Sequence, residues 1–242
     1  GLRRTLQYRF SGERGLNFSI IFENWKLYLE GLILTLQLVP LSLLFGFSLA
    51  LPLSILRVSK NKVLNLPVYW FTYFFRGTPL LVQMFLFYYG LSQFSFIRDT
   101  FLWGFFKDPY KVALLSFSLN TAAYTTEIFR GAIERLPAGQ IEAAKSCGMS
   151  RWIMLKRIIF PIALRNSIPA YGNEVIFMLH GSSIAGLITL VDITGAARII
   201  YARYFSPAEA FITAAVLYLI LTFTIVWVFR LLEKRFLSYL KV

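Results

Sequence analysis

Residues 31–56 form an uncharged stretch of 26 residues that lies between Glu30 and Arg57. About 20 consecutive apolar residues in a helix are enough to cross the roughly 30 Å hydrocarbon core of a bilayer. The rest of the chain has the same character, with 57% hydrophobic and 17% aromatic residues and a positive mean hydropathy. Because a backbone inside lipid must satisfy its own hydrogen bonds, the stretch predicts a helix and the chain an all-α membrane protein.

Further apolar stretches follow the first one and are separated by short polar or basic segments. They predict five transmembrane helices, at about residues 31–56, 63–91, 112–129, 158–179 and 210–229. Residues 181–200 are apolar but rich in glycine and polar side chains, which favours a re-entrant or broken helix. The corresponding division of the chain is an extracytoplasmic segment over residues 1–30, a transmembrane domain over 31–232 and a cytoplasmic tail over 233–242.

The basic residues indicate how these helices are oriented, because loops on the cytoplasmic side of a membrane carry an excess of Lys and Arg. The segments 57–62 and 130–157 and the C-terminal tail are all basic. The segment 130–157 alone carries six Lys or Arg residues against two acidic ones. Five spans place the three basic segments on one side, so we expect a cytoplasmic C-terminus and an N-terminus outside.

Several function classes are excluded by the sequence. The net charge of +13 does not predict nucleic-acid binding, because the basic residues gather between the apolar stretches. No glycine precedes a lysine, so the standard nucleotide-binding loop of ATPases is not in this sequence. The single histidine, His180, excludes a His-Glu-X-X-His zinc site, and there is no Gly-X-Ser-X-Gly motif. We therefore expect neither catalytic residues nor a bound metal in this chain.

The most polar segment between two predicted spans is residues 140–150. Ile141, Ala144 and Lys145 have the i, i+3, i+4 spacing of one helix face, which a short helix would present to a partner. Gly148 suits the left-handed residue that ends a helix, and Ser150 suits the cap of the next one. The segment predicts two helices joined by a tight turn and exposed to water beside the membrane.

This segment resembles the EAA loop of ABC importer permeases, since it contains Glu142-Ala143-Ala144, then Gly148, and later Phe160-Pro161. Three other runs resemble the branch of that family that carries polar amino acids: residues 75–83, 123–133 and 169–176. Residues 120–133 and 173–180 are most similar to the histidine/lysine/arginine/ornithine permeases and the octopine permeases. The resemblance extends from about residue 31 to the C-terminus.

The resemblance implies a type I importer permease fold, with a cytoplasmic coupling helix at about residues 134–152 between the third and fourth spans. It implies a non-catalytic subunit that imports basic amino acids across a bacterial cytoplasmic membrane and forms half of the path by alternating access. The implied partners are two ATPase subunits that use ATP and Mg²⁺, a second, paralogous permease subunit, an extracytoplasmic amino-acid-binding protein and membrane lipid. The implied coupling residues are Glu142, Ala143, Ala144, Lys145 and Gly148. Two alternatives remain open: an importer for another polar amino acid such as glutamine, and a membrane scaffold that transports nothing.

Charged side chains inside the spans indicate where a substrate would bind, because each costs about 2.5 kcal/mol or more at the centre of a bilayer. Glu174, beside Asn173, is the candidate for meeting a cationic substrate side chain, as the resemblance to permeases for basic amino acids implies. The alternative is an ion pair with Arg76 or Arg165 that only holds helices together.

Further candidates lie on the third span and at a break in the second. Asn120 and Tyr124 are one turn apart, and this pair either orients an amino-acid head group or joins helices. Glu127 is a candidate substrate contact, although an i, i+3 pair with Arg130 explains it equally well. The break consists of Arg76, Gly77, Thr78 and Pro79. We assign it to the path or gate, and the alternative is a simple kink.

Overall fold

The computed structural model describes residues 16–237, and every regular element in that range is helical. Twelve α-helices follow one another along it: α1 (Ser19–Glu23), α2 (Trp25–Arg57), α3 (Lys62–Gly77), α4 (Leu80–Phe85), α5 (Ser95–Arg98), α6 (Trp103–Phe106), α7 (Pro109–Glu134), α8 (Ala138–Ser146), α9 (Arg151–Met154), α10 (Phe160–Gly181), α11 (Ile193–Tyr204) and α12 (Pro207–Phe236). Leu86–Gly90 and Leu155–Ile159 form π-helical turns, and Leu91–Gln93 and Ser182–Ile188 are 3₁₀ segments. Residues 1–15 of the predicted N-terminal segment and 238–242 of the predicted tail lie outside the described residues.

The helix α7 lies at the centre of the fold and packs along α2 and against α3 and α10. Half of its length is buried, and the buried set includes polar residues such as Asn120, Thr121 and Thr125. A β-carbon on Gly46 of α2 would collide with the Thr121 side chain and lie 3.0 Å from the Ser118 carbonyl oxygen. The glycine therefore permits the close approach of α2 and α7, as small residues do between membrane helices.

Two helices of the described chain are long and apolar enough to cross a membrane, α2 and α12. A third candidate is a bent pair, Arg151–Ile188 with Ile193–Tyr204, whose axes differ by 47°. The predicted count of five spans is therefore not confirmed. The central helix α7 is not one of these candidates: its neighbours cover much of its surface, so its side chains need not be apolar all round.

Both predicted interruptions are present. The helix α3 ends at Gly77 and α4 begins at Leu80, so the second predicted span is broken where expected. The segment after α10 passes through a 3₁₀ turn to Thr189, which has a left-handed φ of 74°. The side chain of Asp192 then caps α11 by accepting a hydrogen bond of 2.8 Å from the Gly195 backbone N–H.

The helix ends define two opposite sides of the molecule. On one side the Tyr28 hydroxyl, near the start of α2, donates to the Ala210 carbonyl at 2.7 Å, near the start of α12. On the other side the ends of α2 and α7 meet, where Arg57 Nε lies 2.9 Å from Glu127 Oε1. Since α8 follows α7, we call this second side the α8 side. The loop between α2 and α3 also lies there.

Candidate functional site

The helix α8 and the turn after it form the segment predicted to contact an ATPase. The Met149 N–H donates to the Ala144 carbonyl at 3.1 Å and the Gly148 N–H to the Lys145 carbonyl at 2.9 Å. Gly148 has a φ of +72°. These two hydrogen bonds around a left-handed glycine are a Schellman motif, which confirms the predicted helix stop. Ser150 Oγ then accepts from the Ile153 N–H at 3.4 Å, which confirms the predicted cap.

The exposed face of α8 agrees with the predicted one only in part, because Lys145 is exposed and Ile141 half-buried but Ala144 is buried. Ala144 is 3% exposed and packs against its own chain. Glu142, Ala143 and Lys145 are exposed. The surface of α8 that is free to meet a partner is therefore the one that carries Glu142, Ala143 and Lys145. The coupling role of all five residues, including Gly148, stays a prediction.

Glu127 is held by a network that joins three helices near the α8 side. Its two carboxylate oxygens accept from Arg57 Nε at 2.9 Å and from Arg130 Nε at 2.6 Å. The Thr72 hydroxyl of α3 donates to it at 2.9 Å. Arg130 also pairs with Glu134 at 2.6 Å. The expected i, i+3 pair with Arg130 is confirmed, and the longer-range partner Arg57 was not foreseen. Substrate contact by Glu127 stays a prediction.

A cavity of about 430 Å³ opens beside this network. It is lined by Arg57, Tyr69, Thr72, Tyr73, Arg76, Gly77, Glu127 and Arg130. Three guanidinium groups thus face one carboxylate, which gives the cavity an excess of positive charge. Within residues 16–237, Arg76 forms no ion pair shorter than 4.0 Å, and its guanidinium carbon lies 5.3 Å from the centroid of the Tyr124 ring. In the same range, no group of three or more His, Cys, Asp or Glu is arranged to hold a metal ion.

Side-chain amides hydrogen-bond the backbone carbonyls at the break between α3 and α4. Asn120 Nδ2 donates to the Phe75 carbonyl at 3.2 Å and to Gln83 Oε1 at 3.1 Å. Gln83 Nε2 donates in turn to the carbonyls of Phe75, at 2.8 Å, and Thr78, at 2.9 Å. The carbonyls that the end of α3 leaves without helical partners are thereby satisfied. Sequence reasoning assigned no role to Gln83, although an amide four residues after Pro79 in an apolar stretch was the available signal.

The predicted head-group residues are thus both bound to this break. The Asn120 side chain is 6% exposed and engaged with Phe75 and Gln83. The Tyr124 hydroxyl donates to the Arg76 carbonyl at 3.4 Å. Both contacts match the alternative that these residues join helices. Their contact with a substrate stays a prediction, and the exposed side chain of Arg76 is the group at the break that remains free to meet one.

Glu174 of α10 is a buried acid that forms no ion pair with the described residues. It is 5% exposed, and no basic nitrogen of residues 16–237 lies within 4.0 Å of its carboxylate. Arg76 attracts it over a longer distance, and the Thr121 hydroxyl lies beside it outside strict hydrogen-bond geometry. The alternative ion pair with Arg76 or Arg165 is therefore not formed. Asn173 is exposed and, as the preceding residue of the helix, points to a different face.

Comparisons with known proteins place this geometry in a family. Residues 28–238 match the family described as "Binding-protein-dependent transport system inner membrane component". The chain is 44% identical to the nopaline transport system permease protein NocM of Agrobacterium fabrum, over 87% of this chain and 88% of that protein. It is 46% identical to the histidine/lysine/arginine/ornithine transport system permease protein HisM of Escherichia coli K12, over 92% and 97%.

Solved structures agree with these sequence matches. The structure titled "Crystal structure of an amino acid ABC transporter with histidines" superposes with a TM-score of 0.82 at 32% identity, covering 92% of this chain and all of that one. A chain of the MetNI methionine ABC transporter superposes with a TM-score of 0.72 at 21% identity, covering 86% of this chain and 95% of that one, and supports the fold alone.

The family determines the general role of the chain. Its members are membrane components that work with a substrate-binding protein and with a separate ATPase subunit, which hydrolyses the ATP. The chain therefore belongs to the binding-protein-dependent transport system inner membrane components, as a permease subunit of an ABC importer.

Proposed function

We propose that this chain imports basic amino acids such as histidine, arginine, lysine or ornithine across a bacterial cytoplasmic membrane. The names of its relatives support this class, since HisM is a histidine/lysine/arginine/ornithine permease and OccM and NocM are octopine and nopaline permeases. Identities of 43–46% over most of each chain support a shared substrate chemistry.

The observation that carries the proposal is the contrast between two acids, Glu127 of α7 and Glu174 of α10. Glu127 already has two arginines and a threonine hydroxyl as partners. Glu174 is buried and forms no ion pair within 4.0 Å in the described part of the chain. A buried carboxylate without a cation is strongly unfavourable, so a cation must reach it or the acid must pick up a proton. We assign that cation to the substrate side chain.

Arg76 is our candidate for the other end of the substrate. Its guanidinium is exposed and lines the cavity of about 430 Å³. A guanidinium binds a carboxylate through two parallel hydrogen bonds, which suits the α-carboxylate of an amino acid. Gly77, Thr78 and Pro79 continue from it as the path or gate, and the amides of Asn120 and Gln83 fix that backbone.

The partners in finer detail are a second, paralogous permease subunit, two ATPases that use ATP and Mg²⁺, and an extracytoplasmic amino-acid-binding protein. Glu142, Ala143, Lys145 and the Gly148 turn dock on one ATPase, which makes the α8 side cytoplasmic. The Arg57–Glu127 pair connects the end of α7 to α2. A movement of α8 is therefore transmitted to the helices that line the cavity, as alternating access requires.

The experiment is the Glu174→Gln change in the assembled complex in liposomes. It keeps the shape of the side chain but removes its charge, and a charge-assisted hydrogen bond contributes about 1.5–3 kcal/mol against roughly 1 for a neutral one. Lysine uptake should fall by about tenfold or more, with assembly and basal ATP hydrolysis retained. The matched control is Glu30→Gln, which removes an exposed acid that has no ion pair within residues 16–237.

Each outcome separates one part of the proposal. A well-assembled Glu174→Gln complex with normal lysine uptake contradicts the assignment of Glu174. A wild-type complex that imports glutamine but not lysine contradicts the basic substrate class and leaves the importer intact. A wild-type complex with no ATP-driven uptake of any amino acid contradicts amino-acid import itself and favours the membrane scaffold.

A further inference from the structure

We propose that the loop between α2 and α3, with the first two turns of α3, binds the headgroup phosphate of an anionic phospholipid. A cavity of about 340 Å³ lies there. Its walls are formed by Ser59, Lys60, Lys62, Asn65, Leu66 and Tyr69. The cavity lies on the α8 side, next to the larger one at Glu127, and Tyr69 lines both.

The charge of this small cavity is not neutralised by the protein. Lys60 and Lys62 are exposed, and neither forms an ion pair with any of residues 16–237. The sequence contains no acidic residue between Glu30 and Asp99. The neighbouring Arg57 is already paired with Glu127 at 2.9 Å. Two free ammonium groups at one opening therefore select an anion.

The cavity has a fixed shape, because Asn65 ties the loop to the end of α2. Its Nδ2 donates to the carbonyls of Arg57, at 2.8 Å, and Ser59, at 3.2 Å. Its Oδ1 accepts from Arg57 Nη1 at 2.8 Å. The Asn61 N–H donates to Ser59 Oγ at 3.2 Å within the loop. The two lysines are therefore carried on a turn whose backbone does not have to be ordered by the ligand.

The apolar wall distinguishes a lipid from a free anion. Leu66 is 53% exposed, and Trp70 and Tyr73, which follow it along α3, are 57% and 61% exposed. The rings of Tyr69, Trp70 and Tyr73 lie 5.6–5.8 Å apart, centroid to centroid, and form one continuous surface. Tyr and Trp favour the membrane interface. An acyl chain whose phosphate sits between the lysines would lie on this surface, whereas inorganic phosphate would leave it uncovered.

The test measures phosphatidylglycerol binding to the purified full-length complex in detergent by native mass spectrometry, with phosphatidylcholine as the neutral comparison. The double change Lys60→Gln with Lys62→Gln should weaken phosphatidylglycerol binding by about 25-fold, since each lysine near an anionic lipid contributes roughly fivefold. Lys60→Arg with Lys62→Arg should retain binding, because the charge is kept. Lys26→Gln with Lys107→Gln removes two exposed lysines at the opposite end and should change it little.

Four results would overturn the proposal. Two concern the variants: an unchanged phosphatidylglycerol affinity when Lys60 and Lys62 are changed to Gln, or an equal loss of affinity when Lys26 and Lys107 are. The other two concern the wild-type complex: binding of phosphatidylcholine as strong as that of phosphatidylglycerol, or displacement of the lipid by millimolar inorganic phosphate. Loss of the ATPase from the Lys60 and Lys62 glutamine variant with unchanged lipid binding would assign the loop to a protein contact instead.

Discussion

Changing Gly148 tests how the α8 turn couples the chain to its ATPase. Gly148 has a φ of +72°, and an L-residue in the left-handed region loses about 1–2 kcal/mol relative to its usual conformation. A β-branched side chain is at the unfavourable end of that range. Gly148→Val should therefore shift the equilibrium between the native turn and other local conformations by about 10- to 30-fold against the native turn, since 1.4 kcal/mol is a factor of ten.

The structure separates this strain from steric bulk. A β-carbon at Gly148 would meet no atom of the chain within 4 Å, so the substitution creates no internal clash. Gly148→Asn adds a side chain of similar size but tolerates the left-handed conformation. If turn geometry carries the coupling, Gly148→Asn retains more coupling than Gly148→Val, and Gly148→Ala lies between them.

The assay compares substrate-stimulated ATP hydrolysis with uptake for each complex in liposomes. We expect Gly148→Val to insert and assemble but to lose uptake per ATP hydrolysed. Normal uptake and normal stimulation in Gly148→Val would refute the coupling role of the turn. Equal losses in the Asn and Val variants would instead attribute the effect to bulk at the docking surface.

Three further changes test other parts of the account. Glu127→Gln leaves Arg57 without an acid and removes one of the two acids that pair with Arg130. It should lower the free energy of complex unfolding by about 2 kcal/mol, measured by thermal denaturation, and an unchanged stability would contradict the network. Gly46→Leu should destabilise the chain by at least 1–3 kcal/mol because of the collision with Thr121, whereas Gly104→Ala, with open space around it, should be nearly neutral in the same assay. Cys147, the single and exposed cysteine, should react with a membrane-impermeant maleimide only in opened cells, and labelling of intact cells would reverse the proposed orientation.

The local features of α8 could be predicted from the sequence because they depend on neighbouring residues. A glycine stop and a serine cap need only the backbone within a few positions, and both are present at Gly148 and Ser150. The same holds for the break before Leu80, where proline and glycine interrupt the helix. Short-range chemistry is sufficient for each of them.

Other features depend on which helices meet, which periodicity does not reveal. Ala144 was predicted to face a partner, but whether the apolar face of a short helix turns outwards depends on what the rest of the chain places beside it. Arg57 and Glu127 are 70 residues apart in the sequence, and only packing of α2 on α7 brings them together. The polar character of α7 likewise follows from its central position, because neighbouring helices cover much of its surface.

The most direct test of the proposed import activity is uptake by the wild-type permease, reconstituted in liposomes with its second permease subunit, its ATPases and its binding protein. Labelled lysine should accumulate only when ATP is supplied, and excess arginine or histidine, but not glutamine, should suppress the accumulation. Lysine accumulation that does not depend on ATP, or that glutamine suppresses as strongly as arginine does, would contradict an ABC importer selective for basic amino acids.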